Sequence, residues 1–148
     1  MTPTADSATA TATARRLTTL TERLTARLES ETIAFAERRP QDLVAGLAET
    51  QELANQYRRE SAQVKAAPAV VAAAPASERS ALIRATERFE AVLSRHARAV
   101  EAARVISEGV VRAIAEEVSA ARAMGFGYGA SGAAAAGDGR AITLNRSA

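Results

Sequence analysis

The stretch "RFEAVLSRHARAVEAARVISEGVVRAIAEEVSAAR", residues 88–122, decides how the rest of the chain must be read. It lies within a run from about Glu78 to Ala123 that contains no proline and a single glycine, Gly109. Along that run Leu82, Thr86, Phe89, Leu93, His96, Val100, Ala103, Ser107, Val110 and Ile114 recur at steps of three and four. Ala85, Val92, Ala99, Ile106 and Ala113 form a second, adjacent row, and Val111 and Val118 widen the apolar surface further along. Such spacing belongs to an amphipathic helix. An unbroken helix of this length would reach ~70 Å at 1.5 Å per residue.

Two shorter helices are expected upstream. Leu17, Leu20, Leu24, Leu28 and Phe35, with Glu31 completing the row, make a leucine stripe that Pro40 ends, giving a first helix at about 15–38. Gln41 and Asp42 restart the chain, the acid suited to a first turn. Leu43, Val44, Leu47, Leu53, Ala54, Tyr57 and Val64 then outline a second helix at about 41–66. "KAAPAVVAAAPAS", with Pro68 and Pro75, reads as a linker at about 66–76, and Ser77 as the N-cap of a third helix at about 77–124. The Thr/Ala-rich residues 1–14 and the Gly/Ala-rich residues 125–148 are expected to be disordered tails flanking a helical domain at 15–124. The expected fold is all-α: an antiparallel hairpin or bundle of three helices with a long last one. Both early helices are shorter than the third, so part of it should lack an intramolecular partner.

Composition agrees. Alanine makes up roughly half of the 47% hydrophobic residues, aromatics are 3%, and there is no Trp, so any core is helical and thin. Nineteen basic residues against 17 acidic leave a net charge of +2, and 18 of the 19 are Arg. The pI near 9.6 therefore reflects a near-balance without a dense basic patch. No aromatics interleave with the arginines, which argues against nucleic-acid binding. Absence of Cys removes disulfide, thiolate and cysteine–zinc chemistry. The N-terminus lacks the basic and apolar regions of a secretory signal, and no apolar run approaches a membrane span, so a soluble cytoplasmic protein is expected.

The chain offers little chemistry. "GYGASG" at 127–132 has the glycine spacing of a dinucleotide loop, but a helix precedes it where a strand is required, so it reads as helix termination into a flexible segment. His96, the single histidine, lies on the apolar face and reads as a hydrogen-bonded boundary residue, since a metal site needs several ligands. Glu116 and Glu117 point about 100° apart and form no facing dyad. Ser61 and Ser107 have no His or Asp in a recognisable arrangement. Arg15–Arg16, Arg38–Arg39 and Arg58–Arg59, and Glu87 with Arg84 and Arg88, read as solvated surface charge. No enzyme, cofactor or metal is expected.

Three stretches in order resemble the FlgN family of flagellar export chaperones. "DLVAGLAETQELANQYRRE" is similar to that family's acidic start, leucine-rich turn and polar-Leu-x-x-Tyr ending. Residues 88–122 are similar to its long last helix, with His96 where an asparagine is common. Tyr128, Gly129 and Gly132 match its tyrosine–glycine–x–x–glycine ending, while the Pro/Ala linker departs from its pattern. The resemblance implies a cytoplasmic, non-catalytic chaperone. It would hold C-terminal segments of hook–filament junction proteins and deliver them to the type III export gate. It would place client binding on Val100, Ala103, Ile106, Val110, Val111, Ile114 and Val118, and export-gate docking on Tyr128. Excess apolar surface on a long helix suits a partner helix. The same face could instead close a homodimer, and a structural coiled-coil protein without a chaperone role is the alternative.

Overall fold

A computed structural model describes residues 3–130 of the 148-residue chain, with side chains described for residues 6–125. The elements in order are α1 (Pro3–Ala36), α2 (Pro40–Val44), α3 (Leu47–Ala66), α4 (Ala69–Ala72) and α5 (Ala76–Ala130). Among the described residues there is no strand. The chain divides into two compact units, Met1–Ala103 and Arg104–Ala148, with α5 contributing to both.

In the first unit, α1, α3 and the first half of α5 run up, down and up. Arg16 meets Glu60 while Arg27 meets Thr50, so α1 and α3 are antiparallel. Arg15 meets Glu78 while Glu29 meets Arg88, so α1 and α5 run parallel. The leucine stripe does what its period demands. Leu20, Leu24 and Leu28 from α1 close against Leu53 from α3 and Phe89 and Val92 from α5, with Ala54 and Tyr57 at the margin. Leu17 is buried too, and Phe35 is half-buried with its ring edge-on to His96 at 5.9 Å.

Threonines occupy the inner side of α1 without leaving orphaned hydroxyls. Thr21 and Thr25 are almost fully buried, and each donates its hydroxyl to the carbonyl four residues back, at 2.7 Å. Thr11, Thr13, Thr18 and Thr32 do the same. This back-bonding lets a β-branched polar residue sit in a helical core.

Four boundaries differ from the sequence expectation. Residues 3–14, expected as part of a disordered tail, form the first turns of α1, opening with Pro3 where a missing N–H costs nothing. Ala10 and Ala14 are buried against Ala74, with Val71 packed beside them, and Ser7 Oγ donates to the Ala73 carbonyl at 3.1 Å. The Pro/Ala linker thus folds over the start of α1 through α4, and small side chains permit that close approach.

The second expected helix is broken at Gly46, leaving α2 as a separate turn. A Cβ at Gly46 would stand 1.6 Å from Nη2 of Arg27, so the guanidinium occupies the space a side chain would need. The third helix starts at Ala76, with the Pro75 carbonyl accepting from the N–H groups of Glu78 and Arg79, which places Ser77 inside it. Finally, α5 continues past Met124 through Gly125, Gly127 and Gly129 to Ala130. Glycine weakens a helix by about 1 kcal/mol per residue, which slows propagation without ending it. The residues from 131 onward, including the rest of the expected C-terminal tail, lie outside the described residues.

Candidate functional site

The seam of α5 has two different environments along one helix. In the first unit Ala85, Phe89 and Val92 are buried, and His96, Ala99 and Ala103 are half-buried. Val100, on the seam's edge, is 39% exposed. In the second unit every described side chain, residues 104–125, is exposed. Ile106, Val110, Val111, Ile114 and Val118 are 45–66% exposed. Of the seven positions that the resemblance assigned to a client, these five share one unit, and Val100 and Ala103 belong to the end of the other. Steps of four between Ile106, Val110, Ile114 and Val118 carry the apolar row obliquely along one side of the helix.

One further apolar residue extends this surface, and a second lies beside it on another face. Met124 is 75% exposed and stands 18 residues after Ile106, five turns of an ideal helix, so it extends the same line. That 18-residue separation was readable in the sequence. Val105 is 56% exposed. It points about 100° from Ile106, so seam spacing alone gave no reason to include it.

Charges frame the row. Arg104 Nη1 bonds Glu108 Oε1 at 2.8 Å, one turn apart on the exposed helix. Glu116 and Glu117 are both exposed and side by side. An apolar row on a charged helix can hold another apolar helix face. Tyr128 lies in the helical backbone of α5, but its side chain falls outside the described residues.

The remaining candidates are occupied structurally. Ser61 Oγ donates to the Tyr57 carbonyl at 2.7 Å. Of the paired arginines, Arg15 reaches Glu78 on α5 at 2.6 Å and Arg16 reaches Glu60 on α3 at 3.1 Å, while Arg39 pairs with the nearby Glu37 and Asp42 and Arg59 with Glu52 on its own helix. Hydrogen bonding by Glu78, and then its charge, raise the Arg15 pKa further above its ordinary value. Arg88 reaches across to Glu29 on α1, so the expected Glu87–Arg88 surface pairing gives way to an interhelical one. Arg15, Arg16 and Arg23 line a surface groove of about 330 Å³, with Glu60 on its wall. Among the described residues no three His, Cys, Asp or Glu side chains gather as metal ligands, and no helix is long and apolar enough to cross a membrane.

No family model matches the chain, and no solved structure matches it. The chain is similar to the flagellar basal-body protein FlbY of Caulobacter vibrioides, at 46% identity over 136 residues. The match covers 90% of this chain and 91% of that protein, so it spans the bundle and the exposed seam alike. By that likeness the chain belongs to the family of the flagellar basal-body protein FlbY.

Proposed function

We propose that the protein is a cytoplasmic flagellar export chaperone of the FlgN type. It binds C-terminal segments of hook–filament junction proteins and presents them to the type III export gate, without catalysis. The observation that carries this reading is the exposed row Ile106, Val110, Ile114 and Val118 on the second half of α5. Its chemistry suits an amphipathic client helix that would otherwise assemble prematurely. The kinship with a flagellar basal-body protein supports a flagellar setting. Tyr128, beyond the row on the same helix, is the proposed docking residue for the gate. An aromatic ring with a hydroxyl buries area while keeping one polar contact.

The test is direct binding of labelled C-terminal segments of the hook–filament junction proteins to the full chain. Val110→Asp with Ile114→Asp places two carboxylates where an apolar partner would have to cover them, which is strongly disfavoured. Both side chains are exposed, so this variant keeps its helix content. Affinity for the segment should fall at least a hundredfold, equivalent to ~2.7 kcal/mol. Equal affinity of variant and parent refutes the surface. Self-association with no segment binding would favour a structural oligomer instead. Tyr128→Ala should leave segment affinity unchanged and reduce capture of the loaded complex by the export gate.

A further inference from the structure

The charges on the second half of α5 do not share one side of the helix. Glu108 stands one turn from Arg104, which bonds it at 2.8 Å, and one turn from Arg112, which in turn stands one turn before Glu116. Glu117 has no such neighbour. The residues three and four positions away from it are Ala113, Ile114, Ala120 and Ala121, so no cation is placed one turn away to pair with it. At 100° per residue Glu117 points within about 20° of Ile106, eleven positions earlier, and of Val110, seven positions earlier. It is exposed, as they are. The carboxylate therefore stands on the apolar side of this half-helix. Arg104, Arg112 and Arg122 lie five or thirteen positions from it, and so about 140° round the helix.

A carboxylate in that place discriminates among the helices that can cover the row. A cover made only of apolar side chains takes water from the carboxylate and gives no hydrogen bond or charge in return, which is strongly disfavoured. A second copy of the chain fares no better. Docked through the same face in parallel register, it sets Glu117 against Glu117. Docked antiparallel, it brings the apolar side chains of the row to each carboxylate, because its own arginines are turned away. A helix with Lys or Arg among its apolar residues meets both demands. The aliphatic stem extends the apolar contact, and the charged end reaches the carboxylate.

We propose that Glu117 selects the partner of this face. It admits an amphipathic helical segment that carries a lysine or arginine within its own apolar side, and it keeps a second copy of the chain away. The proposal rests on the reading of the row as a docking surface and narrows the class of segment that docks.

The probes are two synthetic amphipathic helices, identical except at one position in the middle of the leucine face, which is Lys in one and Glu in the other. Fluorescence anisotropy gives their affinities for the full-length parent and for full-length Glu117→Lys. The site is exposed and lysine matches glutamate as a helix former, so the variant folds. The parent should prefer the Lys peptide by about tenfold or more, and Glu117→Lys should prefer the Glu peptide. Glu116→Lys makes the same change of charge about 100° away and should keep the parent's preference. Failure of the order to reverse in Glu117→Lys, reversal in Glu116→Lys as well, or no binding of either peptide overturns the proposal. Sedimentation equilibrium tests the second copy. The parent should remain a monomer at a micromolar concentration where Glu117→Leu dimerises. A Glu117→Leu protein that stays monomeric, or a parent that dimerises as tightly, overturns the exclusion. Junction-protein segments that fail to bind while the Lys peptide keeps its preference would overturn the chaperone reading and sustain the role of Glu117. Bound segments with no preference for the Lys peptide would do the reverse.

Discussion

Val92 and Val110 are the same residue on the same helix, 18 residues and therefore five ideal turns apart, yet one is 1% exposed and the other 54%. Truncating each to alanine separates what the helix contributes from what its neighbours contribute. Val92 packs among Leu20, Leu24, Leu28, Leu53 and Phe89. Its truncation removes two methyl groups, at ~0.8 kcal/mol each, and leaves a space between helices that closes only partly. A loss of about 2–3 kcal/mol follows, a large part of the total for a bundle of this size. At Val110 the methyl groups are half in water already. Alanine is there the better helix former by about half a kcal/mol, so the expected change is zero or a slight gain. The assay is urea unfolding followed by circular dichroism at low micromolar concentration, comparing midpoints at constant slope. If Val110→Ala costs as much as Val92→Ala, the row on the second half of α5 is covered in the isolated protein. The surface argued for a client would then already be taken.

Other substitutions test the framework. Arg38 caps α1 in the left-handed region at φ 55°, with Arg39 N–H bonding the Ala34 carbonyl and Arg38 N–H the Phe35 carbonyl. A non-glycine residue is strained there by ~1–2 kcal/mol, offset in part by the entropy a glycine loses on folding. Arg38→Gly should therefore raise the unfolding midpoint by an amount equivalent to about 0.5–1 kcal/mol, and a lowered midpoint would contradict that reading of the cap. Burial, and then the charge of Glu90, push the Tyr57 phenol above its ordinary 10.0. The folded state thus favours the neutral phenol, and this contribution is intact below about pH 10 and lost as the pH rises through the folded value. Alkaline titration should show steeper destabilisation above pH 10 in the parent than in Tyr57→Phe, and identical curves would exclude the effect.

The sequence by itself determined the helical class and the long-helix layout. Heptad-like spacing of leucines on α1 and of mixed apolar residues on α5 has one structural meaning, and Pro40, Pro68 and Pro75 punctuate the chain whatever surrounds them. The exposure of the second half of α5 was also legible, because its apolar row outlasts the two earlier helices.

Tertiary structure decided what short-range pattern does not encode. Ala10 and Ala14 carry too little apolar surface to announce a buried helix, and only the return of Val71 and Ala74 across them makes that stretch part of the core. At Gly46, where the second helix is interrupted, the guanidinium of Arg27, 19 positions earlier, occupies the space a Cβ would need. The row on α1 continues through Glu31, a carboxylate tolerable there because Thr50 donates to it and His96 faces it from another helix. Periodicity reports which face of a helix is apolar. Whether that face is buried depends on which distant segment arrives to cover it, and that is set by packing and not by spacing.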